Sequence, residues 1–316
     1  MASLPPNEGL ASALVDVRGA TPPMRARRGS GSRSPGGLAW GLLVPALVIV
    51  GGVSIFPIGN AIYLSLHETS YMNVGEFSGL AHYREIFGSP RGWAAIGRSF
   101  LYVSTSLVIV IPLGIALAHL LNQPVPGRRV FRVLILLPWV ISQTVAALIW
   151  QWLVNPDFGP LGFDDVLGNR IDILSHPVSA MMLLIVVNVW ISYPLATILT
   201  LAALQSVPLE LREAAEVDGA APFRRLLQIT LPLIKPTLTV IAIMLTLLYF
   251  NMVTLVYTLT GGGPLDGTAV LSLNAFQQSF EFFDLGVGAA YSVVLFAFNV
   301  VFGIAYVRLL RGETSE

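Results

Sequence analysis

Residues 207–236 read VPLELREAAEVDGAAPFRRLLQITLPLIKP, a long polar interruption in a chain that is otherwise strongly apolar. Pro208 suits the first turn of a helix, and Glu210 and Glu213 lie early enough to favour its positive end. The run 209–217 consists of good helix formers. Gly219 then supplies the left-handed residue that ends the helix. Pro222 opens a second short helix over 223–230, and Pro232 closes it. The pattern predicts helix, glycine, helix, lying on a membrane face. Small Ala214 and Ala215 let a partner backbone approach closely, while Glu213, Glu216 and Asp218 offer that partner polar contacts. The alternative is an interfacial hairpin with no partner. That would ask for bulky apolar and basic residues on the first helix, whereas this one is acidic and alanine-rich.

The membrane follows from what surrounds this segment. Of 316 residues, 54% are hydrophobic and 11% charged, against roughly 25% charged in a soluble domain. Six apolar stretches occur, over 38–66, 99–122, 133–154, 178–206, 237–259 and 285–307, and none contains Asp, Glu, Lys or Arg. Each exceeds the ~20 residues that carry a helix across ~30 Å of hydrocarbon. The first is too long for a cleaved signal sequence and reads as a retained span. Residues 1–36, rich in Pro, Gly, Ser and Arg, read as a disordered tail. Residues 37–312 form the six-helix membrane domain, and 313–316 a short end. Lys and Arg fix the orientation: fourteen fall in the tails and the even connections, four in the odd ones (Arg84, Arg91, Arg98 and Arg170). The richer side is cytoplasmic, so both termini lie inside and 207–236 faces the cytoplasm.

Several chemistries are excluded or disfavoured. The absence of cysteine removes disulfides, thiolate metal sites and cysteine nucleophiles. Eighteen basic against eighteen acidic residues imply no nucleic-acid partner. Charge-free spans argue against a proton-driven transporter, although sodium sites can be built from carbonyls. No HExxH or GxSxG occurs, and the Asp164–Asp165 pair reads as a solvated turn, so no catalytic residue or metal site is expected. No GxxxxGK[ST] loop is present, and the sole lysine, Lys235, stands between Ile234 and Pro236. Any ATP-driven motor must be another chain.

The segment Glu213-Ala214-Ala215, three residues, Gly219, nine residues, Ile229, one residue, Leu231-Pro232 is similar to the EAA loop of membrane subunits of binding-protein-dependent ABC importers. Seven such positions coincide by chance about once in 10⁷–10⁸ starting points. Asp218-Gly219-Ala220 with Phe223 resembles the sugar-importing branch. Phe77-Ser78-Gly79-Leu80-Ala81-His82-Tyr83 resembles that family's F-x-G-L-x-N-Y, with His82 in the Asn place. Leu259-Thr260-Gly261-Gly262-Gly263-Pro264 is similar to an outer loop of the maltose-type first permease. The connection 155–177, by contrast, is short where that permease carries a large external domain.

The resemblance implies an all-α integral membrane protein with the type I ABC importer permease fold, six transmembrane helices and cytoplasmic termini, in a bacterial cytoplasmic membrane. Its partners would be a second permease subunit forming a heterodimeric pore, two ATPase subunits that carry ATP and Mg, and an extracytoplasmic sugar-binding protein. No cofactor would be bound by this chain. Glu213, Ala214, Ala215, Glu216, Asp218, Gly219 and Phe223 would couple it to the ATPase.

Sugar recognition needs aromatic platforms and neutral donors and acceptors. The candidates are Asn188, Tyr193 and Asn251, although helix packing or an aromatic belt accounts for each alone. Gln143, Trp150, Gln151 and Trp152 read as interface anchors. Three other readings stay open. Glycerol phosphate or its diesters would call for arginine in the cavity, and no span contains one. A stand-alone ion-coupled transporter would favour inverted repeats. A membrane enzyme acting on lipid-linked sugar would use Asp157, Asp164, Asp165 and Asp172, which nothing pairs with a metal.

Overall fold

The computed structural model describes residues 35–313 except 72, 124–125, 162, 165–169 and 220. The expected tail over 1–36 lies almost wholly outside the described residues, as do Asp165 and residues 314–316. Two compact units meet at residues 56 and 57. Helix α1 (Pro35–Ser65) supplies the described part of the first. Its apolar side chains at Leu47, Val48, Val50, Val53, Ile55 and Phe56 are exposed, the pattern of a helix that is apolar all round.

The second unit begins at Pro57. A short antiparallel pair, β1 (His67–Ser70) and β2 (Asn73–Phe77), is followed by α2 (Ala81–Gly88). Next come α3 (Pro90–Asn122), α4 (Arg128–Val140), α5 (Gln143–Leu153), α6 (Pro177–Gln205), α7 (Leu209–Val217), α8 (Pro222–Arg225), α9 (Leu231–Phe250), α10 (Thr254–Thr260), α11 (Leu271–Phe280) and α12 (Leu285–Glu313). Among the described residues, five helices are long and apolar enough to cross a membrane, or six if the bent pair α4–α5 is one span. The helical membrane architecture read from the sequence is therefore present.

Three expectations about these elements need correction. The third span is not one helix: α4 and α5 meet at 95°. Ser142 causes the break by restarting the chain as an N-cap, its hydroxyl accepting from the Val145 N–H at 3.3 Å. The fifth span stops at Phe250 and resumes at Thr254. There the Asn251 amide donates to the Leu247 carbonyl at 2.7 Å, so a side chain competes with the helical ladder. Finally, Pro232 does not close a short helix. Residues 226–230 form a π-helical turn, in which the Leu231 N–H reaches the Leu226 carbonyl, and α9 continues through Pro232. The wide turn leaves Pro232 in a first turn, where its missing N–H removes no needed bond.

The spine of the second unit is the pairing of α3 with α6. Gly114 lies so close to α6 that a Cβ there would be 2.8 Å from Ala196 Cβ. Tyr102, Val110, Leu184, Val187, Leu245 and Tyr249 are buried around this seam. A second cluster joins α3, α9 and α12: Phe100 meets Phe250 and Phe298 edge-on at 5.5 and 5.3 Å, and Phe250 meets Phe302 at 5.2 Å. Phe100 also meets Phe302 at 5.8 Å, so removing the Phe100 ring leaves three neighbours facing a void. Phe100→Ala should lower stability by about 2–4 kcal/mol, read as a lower unfolding midpoint in detergent.

The motif around His82 acts as a clasp. His82 is buried, with Nε2 3.1 Å from the His67 carbonyl oxygen. The Thr69 hydroxyl donates to Asp284 at 3.1 Å and accepts from the Gly286 N–H at 2.7 Å. Asp284 also accepts from the Val287 N–H at 3.1 Å. Hairpin and α2 are thus tied to the first turn of α12.

Candidate functional site

Two places combine exposure with polar chemistry. The first is α7 and the turn after it. Glu213, Ala214, Glu216 and Asp218 are exposed, whereas Ala215 is turned inward and buried. The small residue open to a partner is therefore Ala214. Gly219 has φ +73° and no atom within 4 Å of where a Cβ would lie. A side chain there would be opposed by the left-handed backbone alone, at ~1 kcal/mol or more. Across the turn Glu216 pairs with Arg225 at 3.1 Å, which fixes α8 against α7. Arg224 is engaged by Gln228 at 2.8 Å. Among the described residues no cation pairs with Glu213 or Asp218. Beside these carboxylates stand Leu209, Val217 and Phe223, exposed to 61%, 88% and 71%. Large apolar side chains rimmed by charge mark an interaction surface.

The second place lies where the two broken spans meet α6. Two adjoining hollows of about 500 and 320 Å³ share Gln143, Leu195, Leu248 and Met252. Ser142, Gln143, Ser192, Asn251 and Thr254 give them neutral donors and acceptors, and Trp139 an aromatic wall. No charged side chain lines either hollow. Both helix breaks open onto this cleft, so main-chain groups at the end of α9 and the start of α5 face it as well. The lining is mostly apolar with a few neutral polar groups and no charge, which suits a solute without charge.

Of the three expected substrate residues only Asn251 lines the cleft. Tyr193 is half-buried and packs against the core. Asn188 is fully buried, and neither of its amide atoms has a hydrogen-bond partner. Reasoning from the sequence did not single out Ser142 or Ser192, weighed Thr254 only among other polar residues of the fifth span, and gave Gln143 no place in a cleft. The signal for the first was a capping serine inside an apolar run; Ser192 and Thr254 carried none. Gln151 is not an interface anchor: its amide donates to the Thr258 and Leu259 carbonyls at 2.8 and 2.9 Å, tying α5 to α10. Trp150 packs edge-on against Trp190 at 5.8 Å. No group of three His, Cys, Asp or Glu able to hold a metal occurs among the described residues.

Residues 110–314 match the family described as binding-protein-dependent transport system inner membrane component. The chain is 34% identical over 279 residues to the trehalose/maltose transport system permease protein MalF of Thermococcus litoralis, covering 87% of this chain and 94% of that one. It is 31% identical to the sulfoquinovosyl glycerol transport system permease protein SmoG of Agrobacterium fabrum, with 85% and 89% covered. A chain of the bacterial alginate ABC transporter, crystallised with an alginate-pentasaccharide-bound periplasmic protein, shares the fold. Its TM-score is 0.75 at 22% identity, with 89% and 96% covered.

Proposed function

The chain belongs to the family of binding-protein-dependent transport system inner membrane components, a multi-pass permease of the sugar-importing ABC class, and on that footing we propose how it works. It forms one half of a heterodimeric pore with a second permease subunit, both termini cytoplasmic. Two ATPase subunits, which hold ATP and Mg, bind from inside, and a sugar-binding protein delivers solute from outside. The α7–Gly219–α8 turn is the coupling element. Glu213, Ala214, Glu216, Asp218 and Phe223 contact the ATPase, with Ala215 seating the helix from within and Gly219 shaping its exit. Closure of the ATPase pair draws this element inward, and the helices rock between inward-open and outward-open states. The coupling is a difference in contact free energy between two states.

The solute is an uncharged sugar of disaccharide or oligosaccharide size, and the observation that carries this is the charge-free cleft at the two helix breaks. A glycerol phosphate or diester would leave its charge without a cation there. Asn251→Ala removes one neutral hydrogen bond and should raise the half-saturating sugar concentration about three- to tenfold with little change in maximal uptake. Equal sensitivity of glycerol phosphate and sugar uptake to this change would point to another site.

A pull-down from mild detergent tests the whole reading. An ATPase should copurify with the chain and be lost on deleting residues 208–219. A chain that purifies alone and moves solute in liposomes without ATP would overturn the proposal.

A further inference from the structure

Between α3 and α6, nearer the start of both helices than the cleft, runs a furrow of about 430 Å³. Leu101 and Thr105 line it from α3, and Val178, Met182 and Ile185 from α6. These positions recur at intervals of three and four, so they follow one face of each helix over roughly 10 Å of rise. Both helices begin at the same end, where Leu265 closes the furrow.

At that same end stands Arg98, the last charged residue before the uncharged stretch of α3 starts at Ser99. A membrane interface passes here. The guanidinium has five N–H donors, and its one hydrogen bond among the described residues is a long one, 3.4 Å, to the Ala269 carbonyl. No carboxylate among the described residues is paired with it. The nearby Asp266 is taken by Arg91 at 3.1 Å. Titratable groups on the facing segments are few: His176 precedes α6 and Asp172 lies in the loop before it, its carboxylate accepting from the Leu174 N–H at 3.0 Å. An arginine at the hydrocarbon edge lays its stem along apolar surface and presents its guanidinium to the headgroup layer, where an anionic headgroup is attracted to it. The furrow below it is apolar, aligned with the span, and includes a flexible, exposed methionine.

We propose that this furrow holds one phospholipid with an anionic headgroup, its phosphate on Arg98 and one acyl chain between α3 and α6. A helix of another subunit would meet the same requirement only by bringing a carboxylate to the membrane edge, and the experiment separates the two.

The chain has no cysteine, so Val178→Cys, whose native side chain is 67% exposed, gives a single labelling site. The assembled transporter carrying a bimane there is placed in nanodiscs containing brominated phosphatidylglycerol or brominated phosphatidylcholine. Brominated phosphatidylglycerol should quench at about a fivefold lower mole fraction, the effect of one basic residue on an anionic lipid. Arg98→Lys should keep that preference and Arg98→Gln abolish it, with assembly checked by copurification of the partner subunits. Equal quenching by the two lipids would overturn the proposal. So would a preference that survives Arg98→Gln, or a label that neither lipid reaches because another chain covers it.

Discussion

A transporter carrying Glu213→Lys should assemble and remain in the membrane, yet take up solute about thirtyfold more slowly than the parent. Glu213 is exposed in the middle of α7, and lysine is as good a helix former as glutamate. An exposed substitution of this kind changes folding stability little. On the coupling role proposed for α7, the loss would arise at the ATPase contact, where reversing a charge at an interface residue has an effect of hot-spot size. Glu213→Gln keeps the shape and a neutral acceptor and should fall between the two. Solute-stimulated ATP hydrolysis should decline in step with uptake. Normal uptake and stimulation in Glu213→Lys would remove the acidic helix from the coupling path.

The second large effect belongs to the α3–α6 seam. A Cβ at residue 114 would lie 2.8 Å from Ala196 Cβ, 3.1 Å from Ala196 C and 3.2 Å from Thr197 N. Two of those atoms are backbone and can move only by shifting α6. Gly114→Leu should destabilise the fold by ~3 kcal/mol or more, seen as loss of monodisperse protein. Gly114→Ala should cost less, and Ala196→Gly should restore part of that loss because it removes the nearest opposing atom. A double-mutant cycle measures this coupling directly. Strict additivity of the two changes would mean that the helices separate more easily than their spacing indicates.

Much of the architecture was legible in the residues because the bilayer imposes one simple rule. A segment that must hide its backbone groups from hydrocarbon becomes a long apolar helix, and residues 178–206 could be read as nothing else. The helix and turn at 209–219 were legible too, since Gly219 and the acidic run 213–218 announce their geometry locally. The breaks were not. Ser142 starts a new helix by accepting one hydrogen bond and Asn251 ends one by donating one, and an apolar window averages such residues away. Helix α11, in the connection between the fifth and sixth apolar stretches, pairs with α12 through packing that hydropathy does not encode. Substrate residues were the least legible class. Asn188, Tyr193 and Asn251 look alike in sequence, and only the angle between broken helices decides which of them meets the cleft. Family resemblance supplied the coupling role, but it could not supply the lining of a cavity built from two interruptions.

The π-helical turn at 226–230 has a mechanical consequence. Because helical structure does not stop at Pro232, residues 223 to 250 form one helical run of 28 residues, roughly 42 Å long. At one end Phe223 projects beside the acidic surface; at the other Asn251 borders the cleft. The π-helical turn and Pro236 are the two places where such a run bends most readily. On the coupling role proposed above, a displacement of the Phe223 end would be carried along this run to the unwound stretch 251–253, which borders the cleft. The segment that would be moved and the wall of the cleft are then parts of one piece of chain.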